Sequence, residues 1–596
     1  MRAARLAALA AGAAAMGTTS RRSDAQASSA ADPSESATKD PRGGAVTFAP
    51  APPPAAHPGA RLAFVQVLTR HGDRTSINPL PFETRDQWRE LLLSEEEQAS
   101  LATRAAPFPA NPGGLLDARR VDADGQDTSW HGQLTKQGVA QLTHTGSALR
   151  EWLVGAGALP ASREAALAAA AVKIRSTGTR RTVQSAQAMM GGLYPESREN
   201  DDGRANAPSD DDDAKHAPGP GPGGDAARRQ TRRAEPAAPF PIEVRDRFRE
   251  SMFPNPGMAC ARQTELMRAL DGDELVRDAE ARAWESEALR AVRAETHERN
   301  VARRRSRERR EKEKAARTAE ATEAPAERVR DAASGEGESS VASVAEPSAF
   351  VRVAARDEGD EAKARVSSSR LPSAASVWEP LQARLNHGLA LPAGVTSGDV
   401  ARIREAAEVR YVNRATNAEG AALAGGRLLR ELAEESHDVI NVARGGQNKP
   451  KLSVFSGHDS SILALLAVLG AFPGEWPPVA STVLVETWLV DERVAGARVP
   501  GVGRPHWSER AAPRAAASAA AAAGAGADAG PTAHSRNAKK VMVRVLFNGA
   551  VLPLVGCAGQ EDAKKGGLCS LAAFRDMARR RDPEDYRKAC EPRARL

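Results

Sequence analysis

Three segments of the chain repeat one pattern, in which a short apolar run leads into a polar turn and then into a helical pattern. The apolar runs are residues 62–68, 171–174 and 451–455. Strands that alternate with helices predict an α/β fold built on a parallel sheet. In an open α/β sheet, ligands bind where strands end, at their carboxyl ends. The three polar turns are therefore predicted to form one site.

The three turns carry side chains suited to phosphate chemistry. They supply Arg70, His71 and Arg74 after the first run, Arg175 after the second, and His458 and Asp459 after the third. Guanidinium groups bind phosphate oxygens in a bidentate manner, and an imidazole can attack phosphorus. Asp73 is a second candidate for orienting that imidazole, but backbone carbonyls often serve this purpose, so no role is assigned to it.

This set of residues is sufficient for hydrolysis of a phosphomonoester. His71 would attack the phosphorus and form a phosphohistidine, while Asp459 would protonate the leaving alcohol and then activate water. The phosphate oxygens would be held by Arg70, Arg74, Arg175 and protonated His458. An aspartic acid donor predicts an acidic pH optimum. No metal or other cofactor is predicted, because the arginines supply the positive charge.

The chain has four cysteines, Cys260, Cys557, Cys569 and Cys590. None forms a CxxC pair and none has zinc-site spacing, which disfavours a metal site. The even count suits two disulfides in an oxidising compartment, and the spacing alone leaves three pairings open.

The first 60 of the 596 residues are predicted to be a targeting segment and a disordered leader. Arginines precede a short, weakly hydrophobic Ala/Leu run, as in a weak secretory signal peptide. The Arg- and Ser-rich composition equally suits an organelle presequence. The mitochondrion and a secretory or vacuolar lumen both remain open. No apolar stretch approaches the ~20 residues of a membrane span, so no transmembrane segment is predicted.

Composition divides the rest of the chain into ordered and low-complexity parts. Residues 61–195 and 377–595 are predicted to form the α/β core, with residues 508–538 as a disordered insert. Residues 196–376 are predicted to form a cap region that contains long disordered or charged-helix inserts. The net charge of +6 is small for this length and does not favour nucleic acid. The basic residues within 271–330 are interrupted by acids and lack interleaved aromatics, so a solvated helix is preferred over RNA binding.

Local patterns predict further elements. A helix is expected over residues 84–103, and Thr135 is expected to cap a helix that runs to Leu153. Asn548-Gly549 between two apolar runs is typical of a β-hairpin with a type I′ turn.

Several longer motifs resemble the histidine acid phosphatases, the second branch of the histidine phosphatase superfamily. The matching stretches are RHGDRT at 70–75, GQLTKQG at 132–138, RSTGTRRTVQSAQAMMGGLYP at 175–195, SGHDSS at 456–461, WPP at 476–478 and the strand that carries Glu486. One departure is Gly178, where the family usually has an acidic or amide residue. Substrate specificity in the family depends on regions where the resemblance is weakest.

The resemblance implies a mostly parallel central sheet with helices on both faces, a phosphoglycerate-mutase-like core, and a smaller helical cap inserted after Pro195. It implies His71 as nucleophile, and His458 and Asp459 as phosphate ligand and proton donor. It also suggests two disulfides, Cys260–Cys590 and Cys557–Cys569.

The function predicted is that of a metal-independent acid phosphatase acting on a small phosphomonoester. Resemblance to family members that act on lysophosphatidic acid suggests a lysophospholipid substrate, and inositol polyphosphates are the alternative within the same superfamily. A second alternative is a non-catalytic protein that binds anions or RNA through residues 271–330. The oligomeric state is not predicted.

Overall fold

The computed structural model describes residues 60–108, 127–195, 238–255, 260–332, 371–443, 450–491, 539–557 and 567–593. The predicted leader, apart from Ala60, and the predicted insert at 508–538 lie outside the described residues.

A single mixed sheet is the centre of the described fold. Its strands are β1 (Arg61–Arg70), β2 (Ala105–Phe108), β3 (Val172–Ser176), β4 (Phe240–Val244), β5 (Leu452–Gly457), β6 (Thr482–Asp491), β7 (Lys539–Phe547), β8 (Ala550–Val551) and β9 (Cys569–Ser570). The order across the sheet is β2-β4-β3-β5-β1-β6-β7-β8, and β9 pairs with β7. The strands from β2 to β1 in this order pair in parallel, and the strands from β6 onward extend the sheet by antiparallel pairs. The predicted mostly parallel α/β architecture is confirmed.

The register of β1, β5 and β3 brings the three predicted turns together. Thr69 lies beside Ser456, and Arg70 lies beside Gly457. On the other side of β5, Ser176 also lies beside Ser456. The three strands therefore end at the same level of the sheet.

Helices follow or precede most strands. Their bounds are α1 (Glu95–Ala102), α2 (Lys136–Leu153), α3 (Arg163–Ala168), α4 (Arg180–Leu193), α5 (Ala261–Asp271), α6 (Glu274–Ala283), α7 (Glu287–Ala332), α8 (Ala374–Asn386), α9 (Ser397–Ala415), α10 (Ala418–Ala443), α11 (Asp459–Leu469), α12 (Leu571–Arg581) and α13 (Tyr586–Ala589). Short 3-10 helices lie at Arg85–Leu91 and Val555–Cys557. None of the helices within the described ranges is both long and apolar enough to cross a membrane.

The sheet buries a separate apolar core on each face. Val65 and Val67 of β1 pack with residues of α2 and α4, whereas Leu68 packs with α10, α11 and α12 on the opposite face. This division follows from the alternation of side chains along a strand. Helices on both faces of the sheet are therefore confirmed.

A further apolar cluster joins α6, α7, α8 and α9 and contains Trp284, Leu381 and Ile403. Leu80, from the segment after β1, also belongs to it, so this helical layer is attached to the part of the chain that follows the RHGDRT motif. The long charged helix predicted within 271–330 is observed as α7, which extends over Glu287–Ala332. The boundaries predicted for the core and the cap region stay predictions.

One local prediction is wrong. The helix expected over residues 84–103 is divided into the 3-10 helix Arg85–Leu91 and α1. The division occurs because Leu92 forms a bridge with Thr135. Ser94 then starts a new helix through a capping box with Glu97.

Other local predictions are confirmed. The Thr135 side chain accepts a hydrogen bond from the Gly138 amide and caps α2, which ends at Leu153. Asn548 and Gly549 join β7 to β8 with φ values of 48° and 83°, as a type I′ turn requires. The two disulfides are Cys260–Cys590 and Cys557–Cys569, so the pairing suggested by the resemblance is also confirmed.

Two glycines allow the RHGDRT turn to contact the start of α2. A Cβ atom on Gly72 would lie 2.4 Å from the carbonyl oxygen of Gly138, and a Cβ atom on Gly138 would lie 2.3 Å from that of Asp73. Both distances are far below van der Waals contact. The opposing atoms belong to the backbone, so they cannot rotate away as a flexible side chain does.

We expect Gly138→Ala to lower the free energy of unfolding by about 2–3 kcal/mol, because the added methyl group overpacks this contact. Gly191→Ala is the matched control, since the nearest atoms to its added Cβ lie 3.8 Å away on the Arg104 side chain. This helical glycine should gain up to about 1 kcal/mol on substitution by alanine. Urea unfolding followed by circular dichroism measures both values. Equal effects of the two substitutions would show that the Gly72–Gly138 contact is not tightly packed.

Candidate active site

The candidate site lies at the carboxyl ends of β1 and β5. Arg70 is the last residue of β1, and the amide of the next residue, His71, donates to the Gly457 carbonyl at 3.0 Å. His458 and Asp459 follow Gly457, as the N-cap and first residue of α11. The imidazole rings of His71 and His458 have centroids 5.6 Å apart. Two turns nearly four hundred residues apart in the sequence therefore form one site, as predicted.

The His71 imidazole is oriented by the backbone. Its Nδ1 lies 2.7 Å from the carbonyl oxygen of Gly72. A carbonyl can only accept, so Nδ1 carries the proton and Nε2 keeps its lone pair. Asp73 has other partners, since its Oδ2 accepts from Thr135 Oγ1 at 2.7 Å and lies 2.6 Å from His387 Nε2.

Burial lowers the pKa of His71 well below its usual value of 6.5, and the charges of Arg181, Arg70 and Arg74 lower it further. The ring is therefore neutral in mildly acidic solution. A neutral imidazole with a free Nε2 lone pair is the form that can attack an electrophile.

Arg70 and Arg74 place two guanidinium groups beside His71. Arg70 Nη2 lies 3.0 Å from Asp459 Oδ2, and its Nη1 donates to the Pro477 carbonyl. Arg74 pairs with Glu379 and also donates to the Thr75 carbonyl at 3.0 Å. The Nε atoms of Arg70 and Arg74 are buried and have no hydrogen-bond partner among the described residues. Buried donors of this kind are rare in folded proteins and are well placed for an anion.

His458 faces the same site from β5. Arg181 Nη2 lies 3.4 Å from its Nδ1, and because arginine only donates, Nδ1 accepts and Nε2–H donates to Thr177 Oγ1 at 3.0 Å. The Phe253 ring stacks on the imidazole with centroids 5.5 Å apart. Burial and then the Arg181 charge lower the pKa of His458 to about 3. His458 is therefore neutral in the site without phosphate, and the prediction that it is protonated while it holds phosphate stays a prediction.

Asp459 is held as a carboxylate by its cationic neighbours. Burial raises its pKa, but the charges of Arg70 and Arg74 outweigh burial, and the net pKa is below the usual 3.8. The Ser460 amide also donates to its Oδ1 at 2.7 Å. The carboxyl group thus lies within hydrogen-bonding distance of the arginine that precedes the candidate nucleophile.

Arg175 is the one predicted site residue that the structure does not bring to this group. Its side chain is fully buried and pairs with Glu250 and Glu431, with Nη2 3.1 Å from Glu250 Oε1. Its guanidinium lies over the Phe455 ring at 4.8 Å. The reason is that β3 continues through Ser176, so Arg175 is an inward-facing strand residue and does not belong to the turn. The prediction for Arg175 is corrected accordingly.

Arg181 takes the place predicted for Arg175. It is the second residue of α4, which begins directly after the polar turn. Its guanidinium contacts His458, and its charge has the largest electrostatic effect on the pKa of both histidines. The signal was present in the sequence, because an arginine at the start of the following helix is closer to the sheet edge than one within the strand.

Glu379 is a further site residue that sequence reasoning missed. It lies on α8, pairs with Arg74 and also accepts from the Ile77 amide at 3.2 Å. It comes from a segment more than 300 residues after Arg74, and no local pattern distinguishes it from a surface glutamate. Within the described ranges, no group of three or more His, Cys, Asp or Glu side chains is arranged to hold a metal ion.

Residues 61–219 match the family model of the histidine phosphatase superfamily (branch 2). This match contains the RHGDRT motif, the capped helix α2 and the α4 arginine described above. Over these residues the chain is similar to that superfamily. The resemblance seen in the sequence motifs is therefore confirmed.

Curated relatives match a limited part of the chain. A probable acid phosphatase of Schizosaccharomyces pombe is 23% identical over 170 residues, which are 28% of this chain and 36% of that protein. Lysophosphatidic acid phosphatase type 6 of Homo sapiens is 31% identical over 139 residues, which are 22% of this chain and 31% of that protein. Counting factor 60 of Dictyostelium discoideum is 32% identical over 120 residues, or 20% of this chain and 28% of that protein. The chain thus spans about a third of the length of these relatives.

Solved structures also resemble the chain. The apo form of Hafnia alvei phytase has a TM-score of 0.40 and 12% identity, covering 90% of this chain and 99% of that one. A multiple inositol polyphosphate phosphatase of Bifidobacterium longum, in complex with phosphate, has a TM-score of 0.40 and 11% identity, covering 91% and 99%.

We expect Arg181→Gln to weaken the binding of inorganic phosphate by about 10- to 100-fold, because it removes a charged donor next to His458. Arg175→Gln should change phosphate affinity by less than about 3-fold but lower the melting temperature, because it leaves the buried carboxylate of Glu250 without its ion-pair partner. Isothermal titration calorimetry and thermal unfolding measure the two effects. A stronger loss of phosphate affinity in Arg175→Gln than in Arg181→Gln would reverse the correction made above.

The lowered pKa values predict that both site histidines stay neutral in mildly acidic solution. In the free protein, the imidazole ¹⁵N shifts of His71 and His458 should remain those of a neutral ring from about pH 7.5 to about pH 5. Signals are assigned with His71→Asn and His458→Asn. A protonation step near the ordinary value of 6.5 in either ring would show that burial and the arginines do not act as described.

Proposed function

We propose that the protein is a metal-independent acid phosphatase that hydrolyses small phosphomonoesters through a phosphohistidine intermediate on His71. The observation that carries the proposal is the juxtaposition of a neutral nucleophile and a carboxyl group within one arginine-rich site. His71 has its Nε2 lone pair available, and the preceding residue, Arg70, holds Asp459 at 3.0 Å. The relatives named as acid and lysophosphatidic acid phosphatases support the same class of reaction.

The first chemical step forms the phosphohistidine. His71 Nε2 attacks phosphorus, an N–P bond forms, and the bond between phosphorus and the ester oxygen breaks. The hydrogen bond from Nδ1 to the Gly72 carbonyl stabilises the positive charge that develops on the ring. No proton must leave His71 before attack, because its low pKa keeps the ring neutral.

The arginines bind the phosphoryl oxygens and stabilise the transition state. The buried Nε donors of Arg70 and Arg74 would gain partners from a phosphate group, and Arg181 adds a third cation next to His458. Fixed donors in a buried site stabilise developing charge without reorganising during the reaction. A phosphate dianion close to His458 also offsets the arginine charges, so it raises the pKa of that ring from about 3.

Asp459 supplies the proton that the leaving oxygen needs. In the free site its pKa is below 3.8, so the carboxylate form dominates at neutral pH. Binding of a phosphate anion to Arg70 and Arg74 weakens their stabilisation of that carboxylate, which raises the pKa of Asp459. The protonated form is favoured as pH falls, so catalysis with poor leaving groups is expected to be fastest in acid.

The second step regenerates the enzyme. The Asp459 carboxylate takes a proton from water as the water oxygen attacks phosphorus, and the N–P bond breaks to release phosphate. The same carboxyl group therefore acts first as acid and then as base. Both inositol polyphosphates and lysophosphatidic acid are phosphomonoesters that this site chemistry can accept.

The test of the proposal is phosphoenzyme trapping together with leaving-group analysis. Brief incubation with labelled p-nitrophenyl phosphate at about pH 5 should label the protein in an acid-labile, alkali-stable linkage, as for a phosphoramidate. His71→Ala should abolish labelling and lower turnover by about 10⁴-fold or more. Asp459→Asn should slow hydrolysis of an alkyl phosphate by about 10²- to 10⁴-fold but that of p-nitrophenyl phosphate by less than about 10-fold.

The chain offers a matched control in a second His-Asp pair, His437 and Asp438, which lies on α10 with Asp438 68% exposed at its side chain. His437→Ala and Asp438→Asn should retain full labelling and turnover. Unchanged labelling in folded His71→Ala would refute the proposal. Equal losses on both substrates in Asp459→Asn would remove Asp459 from the role of proton donor.

A further inference from the structure

Three aromatic side chains form a continuous surface next to the candidate site, which we call the aromatic wall: Trp378, Trp476 and Tyr411. The Trp476 ring lies 4.2 Å from the Tyr411 ring and 5.7 Å from the Trp378 ring, measured between centroids. Trp378 is buried at the base of the wall, whereas Trp476 and Tyr411 are only partly buried. The last two rings are therefore available to contact another molecule.

Each member of the wall is connected to a residue of the site. Pro477, which follows Trp476, accepts a hydrogen bond from Arg70, and Glu379, which follows Trp378, pairs with Arg74. Tyr411 lies on α9, which packs against α11, the helix that begins with Asp459. The wall thus borders the site on the side of the two arginines and the carboxyl group.

Asp459 is close enough to Tyr411 for its charge to act on the phenol. Burial raises the pKa of the Tyr411 phenol, and the charge of Asp459 raises it further. In an in-line displacement, the leaving oxygen departs opposite the nucleophile and must lie near the proton donor. The organic part of a substrate bound to His71 and Asp459 would consequently extend towards Tyr411 and Trp476.

The two arginines beside Tyr411 already share one carboxylate partner. Arg410 and Arg414 lie on either side of Tyr411 on α9, and both pair with Asp271. Arg410 Nε lies 3.0 Å and Arg414 Nε 2.8 Å from the same carboxylate oxygen. A leaving group that carries further phosphates would have to compete with Asp271 for these arginines. An apolar or aromatic group meets no such competition.

We infer that Tyr411 and Trp476 determine specificity by binding the organic part of the substrate, and that this part is apolar or aromatic. The inference rests on the proposed phosphatase function. It assigns the contacts to two residues that lie outside the phosphate-binding group. A longer apolar group would bury more area against the two rings. It should therefore give a higher kcat/KM than a short group.

The experiment compares hexyl phosphate with ethyl phosphate on the purified full chain. The two esters have leaving groups of similar basicity and differ in apolar length only, so the ratio of their kcat/KM values isolates contacts with the organic group. We expect the native ratio to be about 30 or more, since each buried methylene contributes a few-fold. Trp476→Gln should lower the ratio by about 10-fold and change kcat/KM for ethyl phosphate by less than about 3-fold.

Tyr411→Gln is the second variant and should lower the ratio in the same direction, which keeps the test valid if Trp476→Gln does not fold. The matched control is Trp152→Gln, a partly buried tryptophan that packs at the far end of α2, about 24 Å of helix from Lys136. Its ratio should equal the native one.

The outcomes separate the inference from the function on which it rests. Absence of turnover and of His71 labelling with every ester would refute the phosphatase function. Turnover with a native ratio near 1, or a ratio unchanged in both Trp476→Gln and Tyr411→Gln, would overturn the inference alone. A preference for inositol hexakisphosphate over hexyl phosphate would also overturn it.

Discussion

The register between β1 and β5 is the constraint on which the site depends. Pairing of Arg70 with Gly457 makes both strands end together, and the hydrogen bond from the His71 amide to the Gly457 carbonyl extends this pairing one residue into the turns. A shift of one residue would direct the side chains of β1 to the opposite face of the sheet. The two apolar cores oppose such a shift, because Val67 and Leu68 each fit only one of them. Packing of the sheet thus fixes the distance between the two histidines.

The site combines strong positive charge with unprotonated histidines. Arg70, Arg74 and Arg181 disfavour a further proton on either imidazole, and burial acts in the same direction. The carboxylates of Asp459 and Glu379 balance the charges of Arg70 and Arg74. Among the described residues, neither carboxylate forms a hydrogen bond with the His71 ring, whose Nδ1 bonds to the Gly72 carbonyl. Charge balance and the availability of the nucleophile are consequently achieved by different side chains.

Much of the fold could be predicted from the sequence because the relevant signals are local. Apolar runs that lead into polar turns defined β1, β3 and β5, and the cap at Thr135 and the turn at Asn548-Gly549 depend on residues a few positions apart. The division of the helix predicted at 84–103 was also readable, since Ser94 and Glu97 form a capping box.

The parts of the site that could not be predicted depend on register or on distant segments. Arg175 and Arg181 both lie near the end of β3. Because Ser176 still pairs with Ser456, Arg175 belongs to the strand, whereas Arg181 lies beyond it. Glu379 and Phe253 reach the site from segments between β4 and β5. No periodic pattern in the sequence indicates that these segments return to the sheet edge. The carboxylate partners of Arg175, Glu250 and Glu431, likewise leave no local signal in the sequence.

The Cys260–Cys590 disulfide has a topological consequence. It closes a covalent ring of the chain with a sequence separation of 330 residues, and this ring contains β5, β6 and β7 as well as His458 and Asp459. Cleavage of any one peptide bond between the two cysteines would leave both fragments covalently joined. A nicked molecule would migrate as a single species on a non-reducing gel and would separate into two pieces only after treatment with a thiol.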